Sequence, residues 1–306
     1  MNRDSVQTRV YRQKVELLLR LLPIVMDEGV FAVHGGTAIN LFLRNLPRYS
    51  VDIDLTYMPL ADRENSINDI NRHLRSVVDK VKRSFRGVHV NLNESASKLL
   101  CEHQGKQVKI EVNQIKRGIV GGDVMRLPLS ERAQEEFGMY CEADVVPVTQ
   151  LYGGKIAAAL SRQHPRDLFD VKYMPLPIDL CREGFIFCLL GSDRPTFELL
   201  APKLIDQREA MENQFLGMTD IDFSYDEYDE TRRKLISDVN GMLTAADRDF
   251  LFGFEMGEPI WEGYDFEYFK EYPSVRWKLL NLRNLAKQNP EKLRTAAESL
   301  KRILER

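Results

Sequence analysis

The segment Val51-Asp-Ile-Asp-Leu55 constrains the fold more than any other in the chain. Strict alternation has the period of a β-strand, so Val51, Ile53 and Leu55 face one way and Asp52 and Asp54 the other. The chain must therefore build a sheet with one apolar face against a core, leaving two carboxylates side by side on the opposite face. Charges that close repel unless a cation neutralises them. A hard divalent ion accepts carboxylate oxygens, which makes Mg²⁺ the expected cofactor, with Mn²⁺ as a substitute.

The residues upstream favour a phosphate ligand. Val30–Val33 reads as a short strand, broken by His34-Gly35-Gly36, and a helix is expected over Thr37–Arg44. Glycines let the backbone approach a phosphate, and the following helix start offers free N–H groups and a positive dipole end. Downstream, Val108-Lys-Ile-Glu-Val112 alternates again and turns Glu111 away from Val108, Ile110 and Val112. Glu111 there could be a third metal carboxylate or a base, and is equally what a surface Lys/Glu strand edge looks like. Lys155 lies among small apolar residues in a helical run, where a phosphate or carboxylate would pair it. Arg166-Asp167-Leu-Phe-Asp170 follows, with both acids at helical i, i+3 spacing.

Patterning divides the 306 residues into a mixed α/β part and a helical part. Helices are expected over Val10–Met26 and Asp62–Phe85, and strands over Val51–Tyr57, Val88–Leu92, Lys98–His103 and Gln107–Asn113. Helices resume at Val148–Ser161 and Asp167–Tyr173. Beyond Pro175 the expected elements are all helical: Ile178–Leu190, Asp206–Met218, Asp229–Leu243, Ala245–Phe252, Ser274–Lys287 and Glu291–Leu304. The fold class is α+β, with domains at 1–175 and 176–306.

Composition excludes several classes. A net charge of -3 means that any polyanion must meet a local patch. The four cysteines are too few and too scattered for a disulfide scaffold. The N-terminus lacks a leader's basic-then-apolar order and no apolar run reaches bilayer length, so the expectation is a cytoplasmic protein with no membrane partner. Local charge is uneven: nine acidic residues against one basic between Asp206 and Glu230, and ten basic against four acidic from Lys270 to Arg306. On the helix around Arg72–Arg86, the residues Arg72, Arg75, Lys82, Arg83 and Arg86 share one face. Such a stripe can be a solvated face or, being of one sign, an RNA-binding track.

The order His34-Gly-Gly-Thr-Ala38, Arg48-Tyr-Ser-Val-Asp-Ile-Asp-Leu55, Lys155 and Arg166-Asp-Leu-Phe-Asp170 resembles the AbiEii/AbiGii nucleotidyltransferase toxins of the DNA polymerase beta-like superfamily. Leu243-Thr-Ala-Ala-Asp-Arg-Asp-Phe-Leu251 in the helical half resembles that family too. The resemblance implies an N-terminal polymerase beta-like domain, a mixed sheet flanked by helices, followed by an all-helical domain. It implies transfer of a nucleotide from an NTP to the 3′ end of tRNA, in a toxin–antitoxin or phage-defence pair with a cognate antitoxin as partner.

By this resemblance Gly35, Gly36, Thr37 and Ser50 lie at the triphosphate, Asp52 and Asp54 bind Mg²⁺, and Lys155 and Arg166 contact the nucleotide. Asp167 fills the fourth motif, with Asp170 as the alternative register. The chain departs from the superfamily's usual Gly-Ser in having Thr37, which keeps the hydroxyl. The third carboxylate, Glu111 here, is not well kept across the family. Two other functions fit the same residues: transfer to a protein (the antitoxin, or the chain itself at Ser50 or a nearby hydroxyl) or to a small molecule, and a non-catalytic interaction protein on this fold. A bare carboxylate pair is of no use to the last.

Overall fold

The computed structural model describes residues 3–305. Met1 and Asn2, which open the segment read for a leader, and Arg306, counted in the basic tail, lie outside them. Contacts divide the chain into two compact units. One runs to Pro147 and takes in Met211–Asp222; the other comprises Val148–Ala210 and Phe223 onward. The sequence boundary at 175 groups the helices after Pro147 with the sheet, whereas their contacts are with the later helices.

The first unit is built on seven strands. In chain order they are β1 (Phe31–His34), β2 (Asp52–Tyr57), β3 (His89–Asn93), β4 (Lys98–His103), β5 (Lys106–Val112), β6 (Met125–Pro128) and β7 (Glu142–Val145). They lie in the order β3-β4-β5-β2-β1-β7-β6. The sheet is mixed, because β2–β5 and β1–β7 are parallel pairs and the rest antiparallel.

One face is apolar. Ile53, Leu55, Leu99, Cys101, Val108 and Ile110 are all buried there. Helices α1 (Arg3–Met26) and α3 (Arg63–Ser84) cover it with Leu18, Leu21 and Leu22 from the first and Leu74, Val77 and Val81 from the second. Contacts fix α3 on this side: Tyr57 donates to Asp69, and Phe31, the register partner of Tyr57, packs edge-on against His73. Asp62 caps α3 by accepting from Asn65 N at 2.9 Å.

Between β1 and β2 runs α2 (Gly35–Thr37), which continues as a π-helical turn over Ala38–Leu43. Helix α4 (Glu131–Phe137) lies between β6 and β7. Strands β6 and β7 and helix α4 have no counterpart among the elements expected from the sequence, whereas the helix expected over Thr37–Arg44 is the π turn. The expected helix over Asp206–Met218 shortens to α9 (Arg208–Ala210) and a π turn over Met211–Phe215. Gly217 interrupts it at φ +80, where a Cβ would lie 3.1 Å from Thr8 N.

The second unit is helical, with α5 (Val148–Arg162), α6 (Pro165–Lys172), α7 (Arg182–Leu190), α8 (Thr196–Leu200), α10 (Tyr225–Gly241), α11 (Ala245–Glu255), α12 (Pro273–Gln288) and α13 (Pro290–Leu304). Helices α5 and α7 touch backbone to backbone, since a Cβ on Gly153 would lie 2.3 Å from the Gly184 carbonyl carbon. Thr244 and Asp247 form a capping box that starts α11, and Arg182 grips Asp247 through two nitrogens at 2.7 and 2.8 Å. Among the described residues no helix is long and apolar enough to cross a membrane.

Candidate active site

The carboxylate pair stands where alternation puts it. Ile53 and Leu55 are buried, while Asp52 and Asp54 lie on the other face of β2. His34 pairs with Asp54 across the β1–β2 ladder, so the turn after β1 opens directly beside the second carboxylate. Gly35 makes that turn at φ +68, and a Cβ on it would fall 2.6 Å from Asp54 Oδ2. His34 Nδ1 accepts from Gly35 N at 2.7 Å. Gly36 is confined differently: a Cβ there would lie 2.8 Å from both Arg48 Nη2 and Ser50 Oγ.

Thr37 and Ser50 sit beneath this turn. Thr37 is fully buried, and its hydroxyl lies within donating distance of the Asp52 carbonyl and of Ser50 Oγ at 3.1 Å. That hydroxyl ties α2 to β2. Asn40 reinforces the start of the helix by donating to the Gly36 carbonyl at 2.8 Å. The structure thus brings Gly35, Gly36, Thr37, Ser50, Asp52 and Asp54 together.

Glu111 is the register partner of Asp54 on β5, and Lys109 that of Asp52. Lys109 and Lys98 reach the same Glu111 oxygen, at 2.9 and 3.4 Å. Burial alone would raise the Glu111 carboxyl, but the lysines outweigh it and hold it below its usual range. For Lys109 burial works downward and is outweighed by the Glu111 bond and by the charges of Asp52, Asp54 and Glu111, so its ammonium is stabilised. Neither Lys98 nor Lys109 is among the site residues expected from the sequence, although Lys109 is two residues from Glu111 and shares its face by the same alternation.

The donor set suits Mg²⁺. Among the described residues no three His, Cys, Asp or Glu side chains gather into a metal-binding group. Two carboxylates on one strand face match an ion that takes one or two protein carboxylates and completes its shell with phosphates and water.

In the second unit Lys155 and Asp167 are brought together. Lys155 Nζ lies 3.0 Å from Asp167 Oδ1 and 2.9 Å from Asp170 Oδ2, and Arg162 adds two bonds to Asp167 at 2.6 and 3.0 Å. Lys155, Asp167 and Asp170 are buried. Burial would raise the Asp167 carboxyl, but the charges of Lys155 and Arg162 prevail and hold it far below its usual range. Arg162 is a member of this cluster that the sequence reading did not single out. Arg166 is half-buried at the start of α6.

Arg72, Arg75, Lys82 and Arg83 of the basic stripe lie on α3, behind the apolar face and so across the sheet from Asp52 and Asp54, whereas α3 ends at Ser84 and leaves Arg86 in the turn that follows. Arg72 pairs with Asp69, and Arg75 grips Glu94 through two nitrogens, both at 2.7 Å. Lys82, Arg83 and Arg86 are exposed.

A mixed sheet carrying a Gly-Gly turn against a D-x-D strand, followed by helices, is the arrangement of a nucleotidyltransferase. A family described as nucleotidyl transferase AbiEii toxin, of type IV toxin–antitoxin systems, matches residues 16–181, more than half of the chain. The chain belongs to this family and is a nucleotidyltransferase toxin. Its fold is similar to that of MenT4, a nucleotidyltransferase toxin from Mycobacterium tuberculosis H37Rv. The TM-score is 0.57 at 16% identity, over 92% of this chain and 95% of that one. No curated protein matches in sequence.

Proposed function

We propose that the chain transfers a nucleoside monophosphate from an NTP to the 3′ end of tRNA, in the cytoplasm, as the toxin of a pair whose cognate antitoxin restrains it, with phage defence as its setting. The observation that carries this reading is Gly35 against Asp54, with Asp52 on the same strand face. That juxtaposition sets a glycine turn, whose backbone N–H groups can meet a phosphate, directly against a metal-competent carboxylate pair. In this proposal the catalytic domain spans 1–175 and the helical domain 176–306.

Asp52 and Asp54 would hold Mg²⁺, which when bound neutralises the triphosphate and the departing pyrophosphate. The backbone at Gly35 and Gly36 receives the phosphates. Thr37 and Ser50 support that turn from below. Lys155 and Arg166 serve the nucleotide, with Asp167 and Asp170 orienting the lysine. The acceptor hydroxyl oxygen forms a bond to the α-phosphorus as the bond to the β-phosphate oxygen breaks. Pyrophosphate leaves with the electron pair, and the hydroxyl proton passes to a base on this face or to water. Glu111 stands in the third-carboxylate position, but its lysine partners make it a weak base. Arg72, Arg75, Lys82 and Arg83, on the far side of the sheet, and Arg86 in the turn after α3 would serve the body of a large RNA, not its reacting end.

The test incubates the protein and Mg²⁺ with each α-labelled NTP and total tRNA, beside Asp52→Ala. Label in tRNA that vanishes in the variant is expected. Label on protein alone would replace this reading with protein modification, and label nowhere would overturn it.

A further inference from the structure

The face that bears Asp52 and Asp54 continues past them. Strand registers place Lys109 and Glu111 beside the two aspartates, Leu100 and Lys98 beside those, and Asn91 and Asn93 beside Leu100 and Lys98. This face is open: Asn91 and Asn93 are exposed, and the side chains of Lys98, Lys109 and Glu111 keep 35%, 33% and 37% of their surface. Two ammonium groups converge there on a single carboxylate oxygen, so Glu111 neutralises one of them, while the charges of Asp52 and Asp54 also act on Lys109. A lysine carries three donors, so each retains donors for a further acceptor.

Sheet order separates two approaches to the aspartates. The Gly35–Gly36 turn leaves β1, on one side of β2, while Lys109 and Lys98 stand on β5 and β4, on the other. Displacement at phosphorus is in-line, so the leaving pyrophosphate and the incoming hydroxyl must arrive from opposite sides. A triphosphate at the glycine turn therefore directs the acceptor to the lysine side.

We infer that the β4–β5 face seats the acceptor RNA strand, with Lys98 and Lys109 binding backbone phosphates of its last nucleotides and Glu111 holding both ammonium groups in place. The inference rests on the RNA-acceptor reading above. Strands are spaced by about 4.8 Å, which puts Lys98 roughly 10 Å from Asp54, within reach of the terminal nucleotides. No aromatic side chain stands among these face residues, so the seat grips the backbone and does not read bases.

The experiment measures binding of a 5′-fluorescein single-stranded RNA with a free 3′ end to the full chain over a salt series, and in parallel the binding of a fluorescent Mg-NTP. Lys98→Ala and Lys109→Ala should each weaken RNA binding several-fold. Each should also reduce the slope of log affinity against log salt by about 0.7, the share of one single-strand phosphate contact. Lys98→Arg should keep both. Lys98→Ala should bind Mg-NTP as the parent does. Parent-like RNA affinity and slope in both alanine variants would overturn the seat while leaving the RNA reading intact. Loss of Mg-NTP binding in Lys98→Ala would assign the lysine to the nucleotide and overturn the seat as well. A parent protein that binds Mg-NTP and no RNA would overturn the RNA reading and the seat together.

Discussion

Gly35 is held so close to Asp54 that a Cβ on it would lie 2.6 Å from the aspartate's Oδ2, and its φ of +68 disfavours any side chain. The Gly35→Ala variant therefore meets two penalties, a strained backbone and a displaced carboxylate. Expected are a stability loss of about 1 kcal/mol or more and a fall in transfer of roughly 100-fold, the effect of a misplaced reacting group. Thermal melting and the rate of label transfer check these. A variant that retains its rate would remove the glycine from the site.

Thr37 offers a sharper discrimination, because its hydroxyl is buried and directed at the Asp52 carbonyl and Ser50. Thr37→Val leaves the polar groups it ties without their donor, at a cost of about 1–3 kcal/mol. Thr37→Ser should melt close to the parent. If the hydroxyl instead met the triphosphate directly, Thr37→Val would raise KM for NTP with its melting temperature unchanged.

Local patterns were legible in the sequence, and long-range ones were not. Val51–Tyr57 gave itself away by alternation, and Lys98–His103 is a strand with the expected bounds. Asp52, Asp54, Gly35 and Gly36 followed from the same local rules. Strands β6 and β7 span four residues each, too few for a period to show, and β6 ends in Pro128. The pairing of Asp54 with Glu111, and of Glu111 with Lys98, depends on which strands meet, and residue spacing does not carry that information. The burial of Thr37 and Ser50 was hidden for the same reason. Their chemistry suits a phosphate, yet their hydroxyls turn inward.

In the second unit Gly153 marks a contact that admits no side chain, since Gly184 backbone atoms lie 2.3 to 2.7 Å from where a Cβ would be. Gly153→Ala must push α5 and α7 apart and is expected to destabilise by roughly 1–3 kcal/mol, the range for overpacked cores. Chemical denaturation followed by circular dichroism measures this. An unchanged midpoint would mean that the two helices separate without penalty.

The buried cluster of Lys155, Asp167 and Asp170 makes a pH-dependent prediction. Asp167 is held well below its usual range, so it binds fewer protons in the native than in the unfolded chain. Its stabilisation is complete above its unfolded value of about 4 and is lost as pH falls from there toward the lowered native value. Asp167→Asn removes one carboxylate of a buried cluster in which Asp170 still pairs with Lys155, which costs about 1–3 kcal/mol. Little of that comes from Arg162, whose side chain is 53% exposed. The gap in stability between parent and variant should be constant from near neutrality to about pH 5 and narrow below about pH 4. Melting curves over that range check it. A gap that persists undiminished into acid would show that the ionised carboxylate is not what stabilises the cluster.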